Sequence, residues 1–284
     1  MKTPQRLLPL LEDGLVDEVV AQLKSGKEAT VYLVRSKGEL RCAKVYKEAH
    51  RRSFRQAAAY REGRGVKSSR DARAMAKGSR FGKQELEGAW QNAEVGALYR
   101  LATAGVRVPV PYGCFEGVLL MEMVDDGQGQ PAPRLGDVEF TPERARDYHA
   151  RLLRDVVRML CAGLVHGDLS EYNILVDPRG PVIIDLPQAV EAAANAHARS
   201  MLMRDVDNLR LFFGQHAPEL LDTRYGKEIW QLYEAGRLAP ETPLTGVVEE
   251  DETPADLDSL LREIMDAREE AERRREREVR RESD

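Results

Sequence analysis

The sequence predicts an α+β fold in two lobes, a small β-rich lobe followed by a mostly helical one. Short segments rich in Val, Tyr and Leu concentrate before residue 124, and long segments with helical spacing dominate after it. The 284 residues are enough for one large or two small domains with a buried core. We therefore place the lobe boundary near Val124 and expect a ligand site in the cleft between the lobes.

The first lobe is predicted to begin with a helix and continue as a hairpin. Residues 15–24 place apolar side chains at i, i+3, i+4 and i+7, which indicates an amphipathic helix. These positions are Val16, Val19, Val20 and Leu23. Residues 29–34 and 40–46 read as strands, and Ser36, Lys37 and Gly38 between them form a glycine-containing turn, so an antiparallel hairpin is expected.

Helical segments dominate the rest of the chain, with a few short strands among them. Residues 84–104 return to helical spacing, and residues 118–124 are typical of a buried strand. Thr141, followed by Pro142, predicts the start of a helix that runs to residue 160. Strands are expected again at 173–176 and 182–184, with helices after them.

Charge divides the chain further. We predict an N-terminal extension at 1–14, an N-lobe at 15–124, a C-lobe at 125–240 and a tail at 241–284. Within the N-lobe, residues 47–83 carry twelve Lys or Arg against three acids, a net charge of +9. This basic insertion predicts either a solvated loop or a contact with a polyanion, an RNA or ribosomal particle. The tail is acidic at first and then rich in Arg and Glu.

Several classes of protein are excluded by composition. No apolar run approaches the roughly 20 residues that span a bilayer, and Pro9, Glu12 and Asp13 interrupt any signal-like stretch, so we expect a cytoplasmic protein without a membrane partner. The three cysteines are far apart and form no C-x-x-C pair. They predict neither a disulfide framework nor a zinc site.

Three polar residues at fixed spacing carry the chemistry. Asp168 and Asn173 form a D-x-x-x-x-N pattern, and Asp185 follows an apolar strand twelve residues later. Phosphoryl transfer needs a carboxylate to accept the proton of the attacking hydroxyl, and oxygen ligands for Mg²⁺ on the phosphates. Each residue alone would fit a turn or a cap, but the joint spacing favours phosphoryl transfer.

A lysine upstream fits the same chemistry. Lys44 lies between apolar residues of a predicted strand, where it could face a cleft and hold nucleotide phosphates, and Glu94 on the next helix is its expected ion-pair partner. Before that strand, residues 25–31 could cover phosphates through backbone N–H groups and the side chains of Ser25 and Lys27. This segment is neither a Walker A loop nor a G-x-G-x-x-G loop.

Together these motifs resemble the RIO family of atypical serine/threonine protein kinases, most closely its first subfamily in a bacterial-like form. The resemblance covers residues 15–214. It rests on Ser-Gly-Lys-Glu-Ala-x-Val-Tyr, the strand lysine, the basic insertion, Met-Glu-Met-Val, His-Gly-Asp-Leu-Ser-x-Tyr-Asn and Ile-Asp-Leu-Pro-Gln. It implies a trimmed two-lobe protein-kinase fold that uses ATP with Mg²⁺ or Mn²⁺.

The resemblance implies that residues 166–173 correspond to the catalytic loop, and it implies a role for each matching residue. Asp168 corresponds to the catalytic base, and Asn173 and Asp185 to the metal ligands. His166 and Asp205 are expected to brace this loop. The metal loop departs from the Asp-Phe-Gly of ordinary kinases, because Asp185 is followed by Leu-Pro-Gln. The resemblance also implies ATP hydrolysis with Asp185 as a transient phosphate acceptor.

The nucleotide site follows in the same way. Lys44 corresponds to the phosphate-binding lysine, paired with Glu94. The hinge positions that meet adenine through the backbone correspond to Glu122 and Val124, with Met121 as gatekeeper. The remaining ATP-binding positions are Ser25, Lys27 and Val31.

Three functions follow. The first is an ATP-dependent serine/threonine protein kinase that phosphorylates proteins, including itself. The second is a small-molecule phosphotransferase of the aminoglycoside or choline type, which shares the His-Gly-Asp-x-x-x-x-Asn pattern. The third is a protein that binds RNA or ribosomes according to its nucleotide state.

Overall fold

A five-stranded antiparallel sheet forms the first lobe of the computed structural model, which describes residues 3–26, 29–47, 94–115, 117–186 and 188–248. Its strands are β1 (Glu18–Ser25), β2 (Ala29–Ser36), β3 (Glu39–Tyr46), β4 (Pro111–Phe115) and β5 (Val118–Glu122). Their spatial order is β1-β2-β3-β5-β4, so β3 lies at the centre. The predicted α+β class is confirmed, with this sheet first and the longer helices after it.

The beginning of the chain packs beneath this sheet. A 3-10 turn at Gln5–Leu7 leads into α1 (Leu8–Glu12). Leu7, Leu10 and Val16 are buried, and they pack against apolar residues on one face of the sheet. Those residues are Val34, Ala43, Val45, Val118 and Leu120. The described part of the predicted extension thus forms the outer layer of the N-lobe.

The helix predicted at residues 15–24 is wrong, because residues 18–24 of this segment belong to β1. Val20 and Leu23 are 39% and 37% exposed, whereas Val19 and Ala21 pack inward. Two register shifts interrupt the pairing of β1 with β2, between Val19 and Ala21 and again between Gln22 and Lys24. Bulges of this kind interrupt the alternation of side chains between the two faces of a strand. The valines of β1 therefore occur at a spacing that also fits a helix.

The predicted hairpin at 29–46 is confirmed. Ala29 pairs with Tyr46 at one end of β2 and β3, and Ser36 with Glu39 at the other. Lys37 and Gly38 make the turn with φ of +53° and +80°. Positive φ at both central residues is what a two-residue hairpin turn requires, and glycine supplies one of them without strain.

The second lobe, after residue 124, is built on the helices α3 (Pro142–Cys161), α4 (Ala198–Gly214) and α5 (Tyr225–Glu234). Helix α2 (94–103 in the described residues) precedes the lobe boundary, and its buried residues join the same core. The predicted start of α3 is confirmed, since the Thr141 side chain accepts a hydrogen bond from the Arg144 backbone N–H. The lobe's main core contains buried residues of all four helices, such as Leu101, Leu152 and Phe213.

Two short two-stranded sheets lie in the second lobe. One pairs β6 (Leu164–Val165) with β9 (Val190–Glu191), and the other pairs β7 (Ile174–Asp177) with β8 (Gly180–Ile183). The strands expected at 173–176 and 182–184 therefore exist with bounds shifted by one to two residues. The β7–β8 hairpin carries two candidate site residues, one immediately before β7 and one just after β8.

Some predicted features lie outside the described residues. These are Lys27, the basic insertion beyond Lys47, and the tail from residue 249. Among the residues that are described, no helix is both long and apolar enough to cross a membrane.

Candidate active site

Lys44 joins residues from three parts of the chain. It lies on β3 opposite Val31 of β2 and Leu119 of β5, so these side chains share one face of the sheet. Its Nζ lies 2.5 Å from Glu94 Oε1 and 3.0 Å from Asp185 Oδ1. The expected ion pair with Glu94 is therefore present. Because Lys44 also contacts Asp185 of the C-lobe, this face of the sheet borders the cleft between the lobes.

The two carboxylates keep Lys44 charged. Burial alone would lower the pKa of Lys44, but Glu94 and Asp185 outweigh it and raise this pKa above its ordinary value. Burial alone would raise the pKa of Asp185, and the neighbouring Lys44 lowers it instead. The site thus holds an ammonium and a carboxylate that are both ionised at neutral pH.

Tyr46 completes the surroundings of Glu94. Its hydroxyl donates to Glu94 Oε2 at 2.8 Å, and the ring is 4% exposed. The buried hydroxyl next to this carboxylate has its pKa raised, by burial first and by Glu94 second, so it remains a donor. Glu94 is consequently held at both oxygens by residues of β3.

The catalytic loop positions Asp168 beside Asn173. The Asn173 amide donates to the Asp168 carbonyl at 2.8 Å and lies 3.4 Å from Asp168 Oδ2. The Gln188 amide lies 3.4 Å from the same oxygen. Asp168 lies on a loop and Asn173 ends a 3-10 turn (Glu171–Asn173), and such connections commonly carry reacting groups on a rigid scaffold.

Helix α4 fixes the backbone of this loop, as predicted for Asp205. Its two carboxylate oxygens accept the backbone N–H groups of Gly167 at 2.8 Å and Leu169 at 2.9 Å. Asn208, one turn further along, donates to the Leu169 carbonyl at 2.9 Å. The Asp205 carboxylate is 1% exposed, and the residues it holds flank Asp168 on both sides.

His166 connects the catalytic loop to the strand that precedes Asp185. Its Nδ1 accepts the backbone N–H of Asp168 at 3.2 Å, which assigns the proton to Nε2, and Nε2 lies 3.1 Å from the Ile184 carbonyl. The ring is 2% exposed. The predicted bracing role therefore fits this geometry.

Asp185 itself has an unusual backbone. Its φ is +66°, in the left-handed region that Asp and Asn enter more readily than most residues. The Ile184 N–H donates to the Asn173 carbonyl at 2.9 Å, so the β7–β8 hairpin keeps the two candidate metal ligands close. Backbone strain of this kind is concentrated at functional sites.

The hinge residues differ in where their side chains lie. Glu122 is opposite Arg41 on the face away from Lys44, and its carboxylate pairs with Arg107. Val124 is buried, packs against Val182 of β8, and its carbonyl accepts the Ala132 N–H at 3.0 Å. On the cleft face an apolar cluster adjoins the hinge, as a flat apolar ligand would need. It contains Val31, Leu33, Leu40, Cys42, Met121 and Met123.

Ser25 has neighbours that the sequence did not indicate. Its Oγ lies 3.3 Å from Thr30 Oγ1, and the Lys47 Nζ donates to it at 3.0 Å. The same Nζ donates to the Gly26 carbonyl at 2.6 Å. Lys47, which we assigned to the basic insertion, thus binds the loop that begins at Ser25, and the structure does not bring Ser25 together with Lys44.

The donor set suits a divalent metal carried with phosphates. Asp185 and Asn173 offer oxygen atoms, which are the ligands that Mg²⁺ prefers. In the part of the chain that is described, no group of three His, Cys, Asp or Glu could hold a metal by itself. The residues present therefore fit a metal whose remaining ligands come from a nucleotide and water.

Three residues of this site escaped sequence reasoning. Tyr46 is two residues from Lys44, and a strand period of two would have placed it on the same face. Gln188 belongs to the quoted metal loop, but its contact with Asp168 had no signal in the sequence. Arg107 has its partners 15 and 70 residues away, which no local pattern reveals.

Comparison with known protein families settles the relationship. The family model described as the RIO domain matches residues 30–225, more than half of the chain. This chain belongs to the RIO family. The matched range includes Lys44, the hinge positions Glu122 and Val124, the catalytic loop and Asp185.

Individual relatives agree with the family. This RIO chain is 31% identical over 225 residues to the human serine/threonine-protein kinase RIO1, covering 78% of this chain and 38% of the relative. It is 34% identical over 209 residues to the RIO-type serine/threonine-protein kinase Rio1 of Haloferax volcanii, covering 72% and 66%. The Rio1 protein of Methanocaldococcus jannaschii is 32% identical over 214 residues, covering 75% and 68%. The chain thus spans about two fifths of the human protein and about two thirds of the archaeal ones.

Proposed function

We propose that this RIO domain is an ATP-dependent serine/threonine protein kinase. The observation that carries the proposal is the position of Lys44, which meets Glu94 of α2 and Asp185 of the C-lobe at once. A lysine held in this way can bind the phosphates of a nucleotide, next to a carboxylate able to bind their metal ion. The names of the relatives support the same activity.

The residues have distinct tasks in this reaction. Asp168 accepts the proton of the serine or threonine hydroxyl as its oxygen bonds to the terminal phosphorus of ATP, and ADP leaves. Asn173 and Asp185 would hold Mg²⁺ or Mn²⁺, which neutralises charge on the phosphates when bound. Lys44 orients the phosphates, and Glu94 and Tyr46 hold Lys44 in place.

Adenine would bind against the apolar cluster of the cleft face. Val31 and Met121 belong to that cluster, and the backbone of Glu122 and Val124 borders it. An apolar wall next to a polar backbone edge suits a flat heterocycle that both stacks and forms hydrogen bonds. Lys27, which we also assign to nucleotide binding, lies outside the described residues.

The test is phosphate transfer from labelled ATP by the purified full chain. Protein acceptors, including the chain itself, should become labelled, and the Asp168→Asn variant should not label them. Release of inorganic phosphate without an acceptor would assign the main activity to ATP hydrolysis. Labelling of small aminoalcohols in preference to proteins would overturn the proposal.

A polyanionic partner for the basic insertion is also proposed. Residues 48–83 lie outside the described residues, so the support is the net charge of +9 over 47–83. Replacing six of these twelve basic residues by Gln should flatten the salt dependence of RNA binding and leave ATP affinity unchanged. An unchanged salt dependence would contradict it.

A further inference from the structure

The guanidinium of Arg107 connects the hinge to the second lobe. Arg107 lies in the connection between α2 and β4. Its Nη1 and Nη2 donate to the two oxygens of Glu122, each at 3.0 Å. Nη2 also donates to Asp177 Oδ2 at 2.7 Å, at the end of β7. One side chain therefore bridges the last residue of the N-lobe sheet and the β7–β8 hairpin.

The backbone of Arg107 is held by the same lobe. Its carbonyl accepts the N–H of Ile183 of β8 at 2.9 Å. Arg107 is therefore anchored to β8 through its backbone and to β7 through its side chain. The hairpin therefore fixes the position of Arg107, which lacks the rotamer freedom of an exposed arginine.

This cluster differs from an ordinary surface ion pair. The side chains of Arg107, Glu122 and Asp177 are only 25%, 20% and 5% exposed. Glu122 also accepts the Val110 backbone N–H at 3.0 Å, and Arg179 lies 3.4 Å from it. Burial would raise the pKa of Glu122, but the bonds from Arg107 lower it. Forked, partly buried contacts of this kind fix geometry far better than exposed pairs.

The two ends of the bridge serve different parts of the proposed site. The side chain of Glu122 contacts Arg107, while its backbone borders the apolar cluster against which adenine would bind. The hairpin that contains Asp177 has Asn173 immediately before β7, and Asp185 two residues after β8. The bridge thus runs from the nucleotide hinge to the segment that carries both candidate metal ligands.

We propose that Arg107 is a positioning residue that couples nucleotide binding at the hinge to metal binding by the β7–β8 hairpin. The inference rests on the proposed function, and it deepens it by linking two halves of the site. A ligand that orders the hinge orders the hairpin through Arg107, and the converse follows from thermodynamic reciprocity.

The experiment measures the two halves separately on the full chain. The adenosine Kd, obtained by calorimetry without metal, reports the hinge. The free Mg²⁺ concentration for half-maximal turnover, measured at a fixed concentration of the Mg–ATP complex, reports the hairpin. Arg107→Lys keeps the charge and loses the fork, so both quantities should rise about fivefold, which is an ordinary size for coupling between sites.

Two further variants separate the arms of the bridge. Glu122→Gln should raise mainly the adenosine Kd. Asp177→Asn should raise mainly the Mg²⁺ requirement. Its retained Oδ1 still accepts the backbone N–H groups of Arg179 and Gly180, while Oδ2, which accepts from Arg107 at 2.7 Å and from the Arg179 guanidinium at 3.0 Å, is lost. Combined with Arg107→Lys, each should add little, since the same contact is already broken.

Two controls distinguish positioning from stability. Val157→Ala removes buried volume from α3 and lowers the Tm without touching the bridge, and Arg100→Lys weakens an exposed pair with Glu191. Neither should change the two affinities. If Arg107→Lys lowers the Tm but leaves both affinities as in the controls, or changes only one of them, the coupling is overturned. A wild-type chain that binds neither adenosine nor ATP would overturn the proposed function itself, and the coupling with it.

Discussion

Tyr46 and Glu94 are joined by a buried hydrogen bond of 2.8 Å, on the carboxylate whose other oxygen holds Lys44. A single glutamate on α2 is thereby bound by two side chains that follow each other on one face of β3. The lysine that would bind phosphates is thus oriented by a preformed contact, before any nucleotide arrives.

Tyr46→Phe should weaken the contacts that hold Glu94 without removing all of them. The variant loses a bond to a charged group, which costs about 2 kcal/mol of unfolding free energy. Turnover should fall only several-fold, because Lys44 keeps Glu94 Oε1. Urea unfolding and a steady-state assay measure the two effects. Tyr99→Phe, at an exposed tyrosine of α2, should change neither. An unchanged stability for Tyr46→Phe would show that the bond contributes nothing.

Lys44→Ala should raise the KM for ATP and leave Glu94 buried without its cation. Removing one partner of a buried pair costs about 3 kcal/mol or more, so unfolding must be monitored beside activity. Glu94→Ala should produce a milder form of the same kinetic defect.

The combination of these two changes should be less than additive. Lys37→Asn, in the exposed turn between β2 and β3, is the matched control, because Asn tolerates its positive φ. Full additivity of the Lys44 and Glu94 effects would mean that the pair does not act as a unit.

Asp168→Asn and Asp185→Asn should each remove phosphoryl transfer while preserving the fold. Proton acceptance alone is worth about a hundredfold to ten-thousandfold in rate. Asn retains the volume of Asp, and at residue 185 it also tolerates the φ of +66°. Circular dichroism and single-turnover kinetics check both statements.

The two losses should not add, since both residues serve one chemical step. A variant that keeps its rate within tenfold of the wild type, about 1.4 kcal/mol of barrier, would lose its assigned role.

Asp205→Asn should weaken the hydrogen bonds that fix the backbone of the catalytic loop. An amide offers one acceptor oxygen, so either the Gly167 or the Leu169 N–H is left unpaired, at a cost of about 1–3 kcal/mol. Turnover should fall more than tenfold, although Asp205 does not face the cleft. Asp207→Asn is the control on the same helix, because Asp207 is exposed and pairs with Arg210. Equal effects of the two variants on turnover would contradict the bracing role.

His149 should make the fold sensitive to acid. Burial lowers its pKa to about 4, whereas the unfolded chain titrates near 6.5. The unfolded state therefore takes up a proton first, and stability is lost as pH falls from about 6.5 to 4, by up to about 3 kcal/mol. His149→Leu should flatten this part of the curve in urea unfolding.

Asp155 opposes that trend and must be separated from it. Burial raises its pKa to about 6, above the unfolded value near 3.9, so its contribution grows as pH falls through the same window. The difference between wild type and His149→Leu cancels this contribution. His197→Gln, at an exposed histidine, should leave the wild-type curve unchanged, and a His149→Leu curve as steep as the wild type would refute the assignment.

Much of the candidate site could be predicted because its residues occur at fixed short spacings. Asp168, Asn173 and Asp185 lie on one loop and one hairpin, so their separation in sequence nearly determines their separation in space. The contact between Lys44 and Glu94 spans 50 residues, and it was predicted from the phosphate-binding chemistry of a strand lysine and from the resemblance to RIO kinases, not from spacing.

The wrong and missed predictions concern contacts that are not fixed by short spacings in the sequence. The error at β1 arose because pairing with β2, with two bulges, decided the structure of a segment whose valines fit a helical period equally well. The bridge made by Arg107 joins residues separated by 15 and 70 positions and by a lobe boundary. Such contacts depend on the packing of whole elements, which a single sequence does not display.

The layer formed by residues 5–16 limits how the chain can be shortened. It covers one face of the sheet, and the Arg6 side chain also donates to the Tyr46 carbonyl at 3.1 Å, on the strand that carries Lys44. A fragment that began at β1 would present Val34, Val45 and Leu120 to water, and exposed apolar surface of this kind drives aggregation. Fragments prepared for biochemistry should therefore keep these residues, although they contribute no side chain to the cleft.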